Sequence, residues 1–558
     1  MKKLTIFFSC IFLASIAFGQ KDFYKDKVFT HADTLRGQLR PERTCYDVTF
    51  YDLNVAVNVE KKFIKGFVDI HFDIIEDFTV MQIDLFENMT LDKVFNYSKL
   101  LSTKRVNDAV FIYFPEKQLA GTSASIRVFY EGFPTGAKNA PWDGGFTWNK
   151  DEKGNDWVGV ACEGDGASLW WPNKDHLSDE PDSMSIRVAV PSGLTCIANG
   201  NLRSTKQYKN GYTEFHWFVS YPINNYNVTL NIGDYVQFSD IYIANDGDSL
   251  QMDFYVLPYN LEKAKIQFAQ VKPVLKAYER FFGKYPFWND GLAFVETPYL
   301  GMEHQSAIAY GNKYMRGYLG GMIPRDMNWD YIIVHELGHE WWGNSISVND
   351  HAEMWIHESF TTYMEALFVE DYMSKADATR YLGSQKNYIS NREPLLGPLN
   401  VNWDNWVASD HYYKGAWMLH TLRNAINDDE QWFRILKGLY EEFQLSNVTT
   451  KDIVNYINTS TSKDWTKFFE QYLEYPSIPK LVYDLKQEGN NLKVRYHWEA
   501  DVKGFDMPIL VGKPGAWQMI SPTTEAEKIL VLENFDKSDF EVAEDLFYVK
   551  TGNGTLKK

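Results

Sequence analysis

Two histidines and two glutamates carry the first chemistry visible in this sequence. In Val334-His335-Glu336-Leu337-Gly338-His339 the histidines stand four apart, so on a helix they share one face and converge on a point outside it. Two neutral imidazoles at that spacing make two corners of a tetrahedral zinc site. A catalytic zinc ordinarily has three protein ligands and leaves the fourth position to water. Glu358, in Trp355-Ile356-His357-Glu358 and nineteen residues beyond His339, is the candidate third ligand. Glu336 then stands near the metal without binding it, which suits a general base. The expected cofactor is one Zn2+ per chain.

The same motif arises by chance on surface helices, but Tyr331, Ile332, Ile333, Val334, Leu337, Trp341 and Trp342 mark this one as buried. Two buried histidines flanking a buried glutamate need partners, because an unpaired charge is costly to bury. A metal ion supplies one. His351 and His357 lie near the ligands in sequence, but His357 directly precedes Glu358 and should face elsewhere on its helix. Glu365, seven past Glu358, shares its helical face; it reads either as a residue that orients a ligand or as a surface acid.

These residues require at least two helices, one with the histidines and one over about 353–372 with Glu358. Helical spacing recurs at 261–282, which stops at Gly283 with Pro286 beyond, and at 411–427, 430–443, 451–458 and 465–473. Residues 292–295 read as a strand. Before residue 245 the texture is different. Val68, Ile70, Phe72 and Ile74 alternate with Asp69, His71 and Asp73, and similar alternation runs through 81–85, 126–130 and 186–190. The pattern returns from Lys480, with a turn at 488–491. The fold class is therefore multidomain α and β: an antiparallel β domain over 20–245, a mostly α catalytic domain over 246–476 and a small β-sandwich over 477–558.

Met1-Lys2-Lys3, the apolar run Leu4 to Phe18 and the small residues of Ala17-Phe18-Gly19 have the form of a signal peptide over 1–19, cleaved before Gln20. The run is short for a bilayer span, and no later stretch approaches a membrane-crossing helix. An exported protein, periplasmic or extracellular, is expected. The formal charge of −18 argues against nucleic-acid binding and favours cationic ligands. Cys45, Cys162 and Cys196 remain after the leader and allow at most one internal disulfide. With 45% hydrophobic residues, the core comes from packing.

Four separated motifs together resemble the zinc aminopeptidase family of the gluzincin clan, whose members include aminopeptidase N and leukotriene-type epoxide hydrolases. The histidine motif with Glu358 matches the family's metal motif, which implies that His335, His339 and Glu358 bind zinc and that Glu336 activates water. Gly301-Met302-Glu303-His304 resembles the family's Gly-x-Met-Glu-Asn exopeptidase motif, departing from it in lacking a residue between Gly301 and Met302 and in having His304 for Asn. It implies that Glu303 holds the substrate's free α-ammonium, with Gly301 and Met302 beside it. By analogy, the loop around Tyr299 and Met302 line the first pocket. Ala161-Cys162-Glu163-Gly164-Asp165-Gly166 resembles the segment that lends a second amine-binding acid; Glu163 is the matching position and Asp165 the competing one. The Asp175 to Asp182 tract reads as architectural. His411-Tyr412-Tyr413-Lys414-Gly415-Ala416 resembles Tyr-x-Lys-Gly-Ala, which places the catalytic tyrosine at Tyr412. Adjacent Tyr413 must point about 100° away. Trp403, Trp406 and Trp417 read as core or cleft lining.

The resemblance implies a thermolysin-like catalytic domain and an exported metallo-aminopeptidase acting on peptides with free N termini. It is to a short form without the family's large C-terminal helical domain, from which a more open cleft is expected. Epoxide hydrolysis, known among the relatives, is one alternative. A catalytically silent peptide-binding module is the other, against which the intact Glu336 and ligand set speak.

Overall fold

The computed structural model describes residues 23–553. The segment read as a signal peptide, 1–19, lies outside the described residues. Strands form where alternation predicts them: Val68, Ile70, Phe72 and Ile74 are buried along Phe63–Ile74, while His71 and Asp73 face solvent. Among the described residues, ten strands make one sheet. It runs from Asn201–Gln207 at one edge, through Ser183–Pro191, Tyr46–Asn58 and Phe63–Ile74, to Phe78–Asp84 at the other. Its neighbours are antiparallel except Tyr46–Asn58 and Ser183–Pro191, which run parallel with Leu53 opposite Ile186. A second sheet of four strands contains Asp156–Ala161, which ends just before Glu163.

Alternation misleads at the far edge of the large sheet. Gln82 and Asp84 are buried, because the short helices His31–Gly37 and Pro41–Thr44 cover them. Arg43 pairs with Asp84 at 2.5 Å, and the Gln82 amide donates to the Leu35 carbonyl at 3.0 Å. Cys45, Cys162 and Cys196 are buried and free of disulfides.

The strand Val236–Ile243 pairs with Ser249–Val256 and opens a five-stranded mixed sheet, continued by Leu292–Glu296, Ala307–Tyr310 and Gly301–Met302. Residue 245, the expected domain boundary, falls in the turn of that hairpin. Gly301–Met302 is an edge strand, antiparallel to Ala307–Tyr310. The helices Trp355–Tyr372, Asp410–Ile426, Asp429–Phe443, Thr450–Thr461 and Thr466–Glu474 follow their expected spans closely. Lys375–Gln385 is a further helix that periodicity did not single out.

The histidine helix, Tyr331–Gly338, is short. Asp330 caps it, its carboxylate accepting from the Ile332 and Ile333 amides. His339 keeps helical angles at the C-terminal cap, so the two imidazoles retain their shared face. The next helix, Trp355–Tyr372, is buried from Trp355 to Val369. It meets Asp410–Ile426 at Gly415, where a Cβ would stand 1.7 Å from Ser359 Oγ. The Ser359 hydroxyl donates to the His411 carbonyl at 2.7 Å. This approach, open only to glycine, holds Tyr412 beside Glu358.

After Thr466–Glu474, two small sheets complete the described chain, one of four strands and one of three. They bury Val494, Trp498, Phe505 and Val511. Lys414, buried on Asp410–Ile426, donates to the carbonyls of Tyr475 and Pro476 and fixes this domain to the tyrosine-bearing helix. No described helix is long and apolar enough to cross a membrane.

Gly415→Ala is expected to force the two helices apart and to cost about 1–3 kcal/mol. Thermal unfolding checks this as a lowered midpoint; an unchanged midpoint would show that the contact has slack.

Candidate active site

The two imidazoles meet. His335 Nε2 and His339 Nε2 lie 3.2 Å apart, and each lies 3.5 Å from Glu358 Oε2. All three side chains are buried. The other nitrogen of each ring decides what this means. His335 Nδ1 faces Glu365 Oε1 at 2.6 Å, and His339 Nδ1 faces the Trp342 carbonyl at 2.9 Å. Both partners can only accept, so each Nδ1 carries the proton and each Nε2 presents a lone pair.

Two lone pairs and a carboxylate oxygen thus confront one another in a buried space, and Glu358 Oε2 has no hydrogen-bond donor. Such a set repels itself unless a cation sits between, and its nitrogen and oxygen types suit zinc. The electrostatics agree. Burial opposes a positive charge on His335 and His339, yet the neighbouring carboxylates override it and raise the affinity of both for positive charge. Burial likewise opposes the Glu358 anion, but the two imidazoles hold its carboxyl well below the usual range.

Glu365 is no surface acid. It is buried, and its second oxygen accepts from the Tyr381 hydroxyl and from Gln385 Nε2, the latter at 3.1 Å. Tyr381 and Gln385 come from Lys375–Gln385, the helix that periodicity missed, and neither stands in a motif. His357 turns away as expected, its Nε2 accepting from the Val348 amide at 3.0 Å.

Glu336 projects beside the trio. It, Glu303 and His339 bring ligand-type atoms within 4.8 Å of one another. Burial pushes the Glu336 carboxyl up to about 8; the two imidazoles oppose this, and the Glu303 and Glu358 carboxylates add to it. Gly301 has no room for a side chain, because a Cβ there would stand 2.5 Å from Glu336 Oε1. The edge strand therefore runs directly against the candidate base.

Glu303 follows on that strand. It accepts from the Tyr226 hydroxyl at 3.1 Å, and its own carbonyl accepts from Asn344 Nδ2 at 2.7 Å. Neither Tyr226 nor Asn344 was singled out by sequence, although Asn344 closes the histidine segment. Glu163 and Glu303 both face one cavity of about 710 Å³ with Met302, His335, His339, Glu358 and Tyr412. Asp165 does not; its carboxylate accepts from the Gly144 amide at 2.6 Å. Burial and mutual repulsion among Glu163, Glu303, Glu358 and Glu336 raise the Glu163 carboxyl well above its usual range. Glu303 is raised as well, first by burial.

Tyr412 lies 6.0 Å, ring to ring, from His335, and burial, followed by the Glu358 carboxylate, pushes its phenol well above the usual range. Tyr413 also reaches the cavity, but packs on Tyr388 at 5.4 Å. The loop around Tyr299 lines the cavity through Leu300, Gly301 and Met302, whereas the Tyr299 side chain itself does not. It is buried behind the wall, its hydroxyl donating to the Val160 carbonyl at 3.2 Å, and Leu300 takes the lining position. His304 is fully buried, a packing position beyond the cavity. Of the tryptophans, Trp406 lines the cleft, whereas Trp417 and Trp403 are buried. The cavity opens to solvent past Trp142 and Val407, which are 61% and 63% exposed.

Glu365→Ala is expected to weaken zinc binding about 10–100-fold by freeing the His335 ring. Competition with a graded series of chelators measures it, and an unaltered affinity would remove Glu365 from the site. Stripping the metal from the unmodified chain should lower its melting midpoint, and added zinc should restore it in a concentration-dependent way.

Residues 266–472 match the model of the Peptidase family M1 domain. Aminopeptidase B of Mus musculus is 26% identical over 312 residues, which cover 53% of this chain and 43% of the relative. Aminopeptidase N of Escherichia coli K12 is 22% identical over 288 residues, 50% of this chain and 33% of the relative. The chain thus spans less than half the length of these curated relatives. An M1 zinc metallopeptidase from Deinococcus radiodurans has a similar fold, with a TM-score of 0.66 at 19% identity, over 79% of this chain and 96% of that one. The metal trio and the candidate base thus lie within the segment of this chain that matches the Peptidase family M1 domain.

Proposed function

We propose that this protein is a zinc aminopeptidase, which hydrolyses the first peptide bond of peptides that carry a free N-terminal amine. One observation carries the reading. The carboxylates of Glu163, Glu303, Glu336, Glu358 and Asp404 line the cavity, and among the described residues no lysine or arginine lines it. A divalent cation held by His335, His339 and Glu358 balances two of these charges. Glu163 and Glu303 are still left facing a buried space without a counter-charge, and a substrate ammonium supplies it. Internal peptide segments lack that charge and are rejected.

Zinc at the trio, one ion per chain, supplies a Lewis acid that polarises a carbonyl and lowers the pKa of water. The chain does the rest. Gly301–Met302 offers free backbone groups to an extended peptide laid along the sheet edge. Glu303 and Glu163 fix the amine, which sets the first carbonyl next to Glu336. Glu336 takes a proton from the attacking water and passes it to the departing amine. The Tyr412 phenol donates a hydrogen bond to the carbonyl oxygen as it gains charge. A metallopeptidase from D. radiodurans with this fold was solved bound to a Tyr-ser-ala substrate, which supports a peptide ligand here. The Lys2, Lys3 and Leu4 to Phe18 leader pattern supports an exported enzyme.

A matched pair of short peptides, one free and one N-acetylated, tests the reading. The zinc-loaded protein should cleave the first and spare the second. Tyr412→Phe should lower kcat about 100–1000-fold, and Glu336→Gln should abolish turnover while zinc stays bound. Equal cleavage of the acetylated peptide, or full activity in Glu336→Gln, would overturn it.

A further inference from the structure

The two imidazoles have different neighbours among the side chains that line the cavity. Glu303 and Glu336 cluster with His339, and Asp404 lies over Gly164, beside Glu163, where a Cβ on Gly164 would meet its carboxylate. The rings gather around the other imidazole. Tyr331 lies 5.3 Å from His335 and nearly parallel to it, with Tyr318 5.7 Å beyond. Tyr412 also neighbours His335, and the series continues to Tyr413, 6.2 Å from Tyr412, and on to Tyr388. A peptide with its amine at Glu303 and Glu163 and its first carbonyl at the trio can continue past His335, where these rings line the cavity.

The part of this wall that carries Tyr318 and Met322 is tied down by side-chain hydrogen bonds. Tyr318 and Met322 stand on a loop gathered around Arg316, whose guanidinium donates to four carbonyls: Met327 at 3.0 Å, Gly320 at 3.1 Å, Ile323 at 3.2 Å and Pro324 at 2.7 Å. Asn312 pins the other flank, donating to the Met315 and Gly317 carbonyls and accepting from the Leu319 amide. Leu319 and Met322 hold left-handed backbone angles, φ +48° and +61°, which bulky side chains adopt only when the surroundings impose them. A loop fixed in this way presents its side chains with little ordering left to lose on binding.

We infer that Tyr318, Met322, Tyr331, Tyr388 and Tyr413 form a subsite for the side chain of the substrate's second residue, and that it selects a large apolar or aromatic one. The inference rests on the aminopeptidase reading and adds to it a substrate class. A phenol-lined wall buries such a side chain by edge and face contacts. It offers an acidic side chain no cation and leaves glycine with an unfilled space.

The test is a tripeptide series Ala-X-Ala with X as Phe, Leu, Gly or Asp, turned over by the zinc-loaded full chain. kcat/KM should be about tenfold or more higher for Phe and Leu than for Gly and Asp. In Tyr318→Ala the Phe-to-Gly ratio should fall toward one, and Tyr318→Phe should retain it. That ratio is internal to each preparation, and if Tyr318→Ala fails to fold the unmodified chain still decides. Similar rates for all four peptides, or a preference for Gly or Asp, would overturn the subsite while leaving the aminopeptidase reading intact. Cleavage of none of them would overturn that reading itself.

Discussion

Three lone pairs aimed at one another inside a protein repel unless something positive is placed among them. That repulsion, between His335, His339 and Glu358, is the constraint on which the rest of this structure depends. Each imidazole turns a lone pair inward because its outer nitrogen gives its proton to Glu365 or to the Trp342 carbonyl. The buried supports follow from this. Tyr381 and Gln385 hold Glu365, Asp330 starts the histidine helix, and Gly415 lets the tyrosine helix approach Glu358. A buried polar network of this kind is favourable only when every member has a partner, and a divalent cation is the missing one.

The charge that this arrangement leaves over gives the site its direction. Glu163 follows a strand of the first domain and Glu303 an edge strand of the second, so the acidic lining of the cavity is assembled across two domains. The last domain contributes from the other side. Lys386 donates to the Glu544 carbonyl and Asn391 to the Tyr548 hydroxyl, which steadies the segment that carries Tyr388 to the cavity. No one segment contains the site, yet each segment reaches it through ordinary elements: a turn after a strand, a two-residue edge strand and three helices.

Much of this was legible in the sequence, for physical reasons that differ by residue. The histidine pair could be read because a four-residue helical spacing is a geometric statement in itself, and the apolar residues around it announced burial. The outer strands could be read because alternation reports one buried face. Glu365 stayed ambiguous because spacing gives its face but not what covers that face; the cover is a helix, Lys375–Gln385, whose pattern is weakly amphipathic. Gln82 and Asp84 looked solvent-facing for the same reason, since nothing in their strand reveals that Arg43 comes to meet them. Tyr226, Asn344 and Tyr381 were beyond reach, because each is paired through tertiary contact with a residue distant in sequence. Glu163 and Asp165 share one turn, and only the fold shows which carboxylate is spent on the Gly144 amide.

The most direct measurement of the central claim is elemental analysis of the purified chain beside Glu358→Ala. The account predicts close to one zinc ion per unmodified chain and loss of stoichiometric metal from the variant. An unmodified chain without stoichiometric metal, or a variant that retains as much, would contradict it.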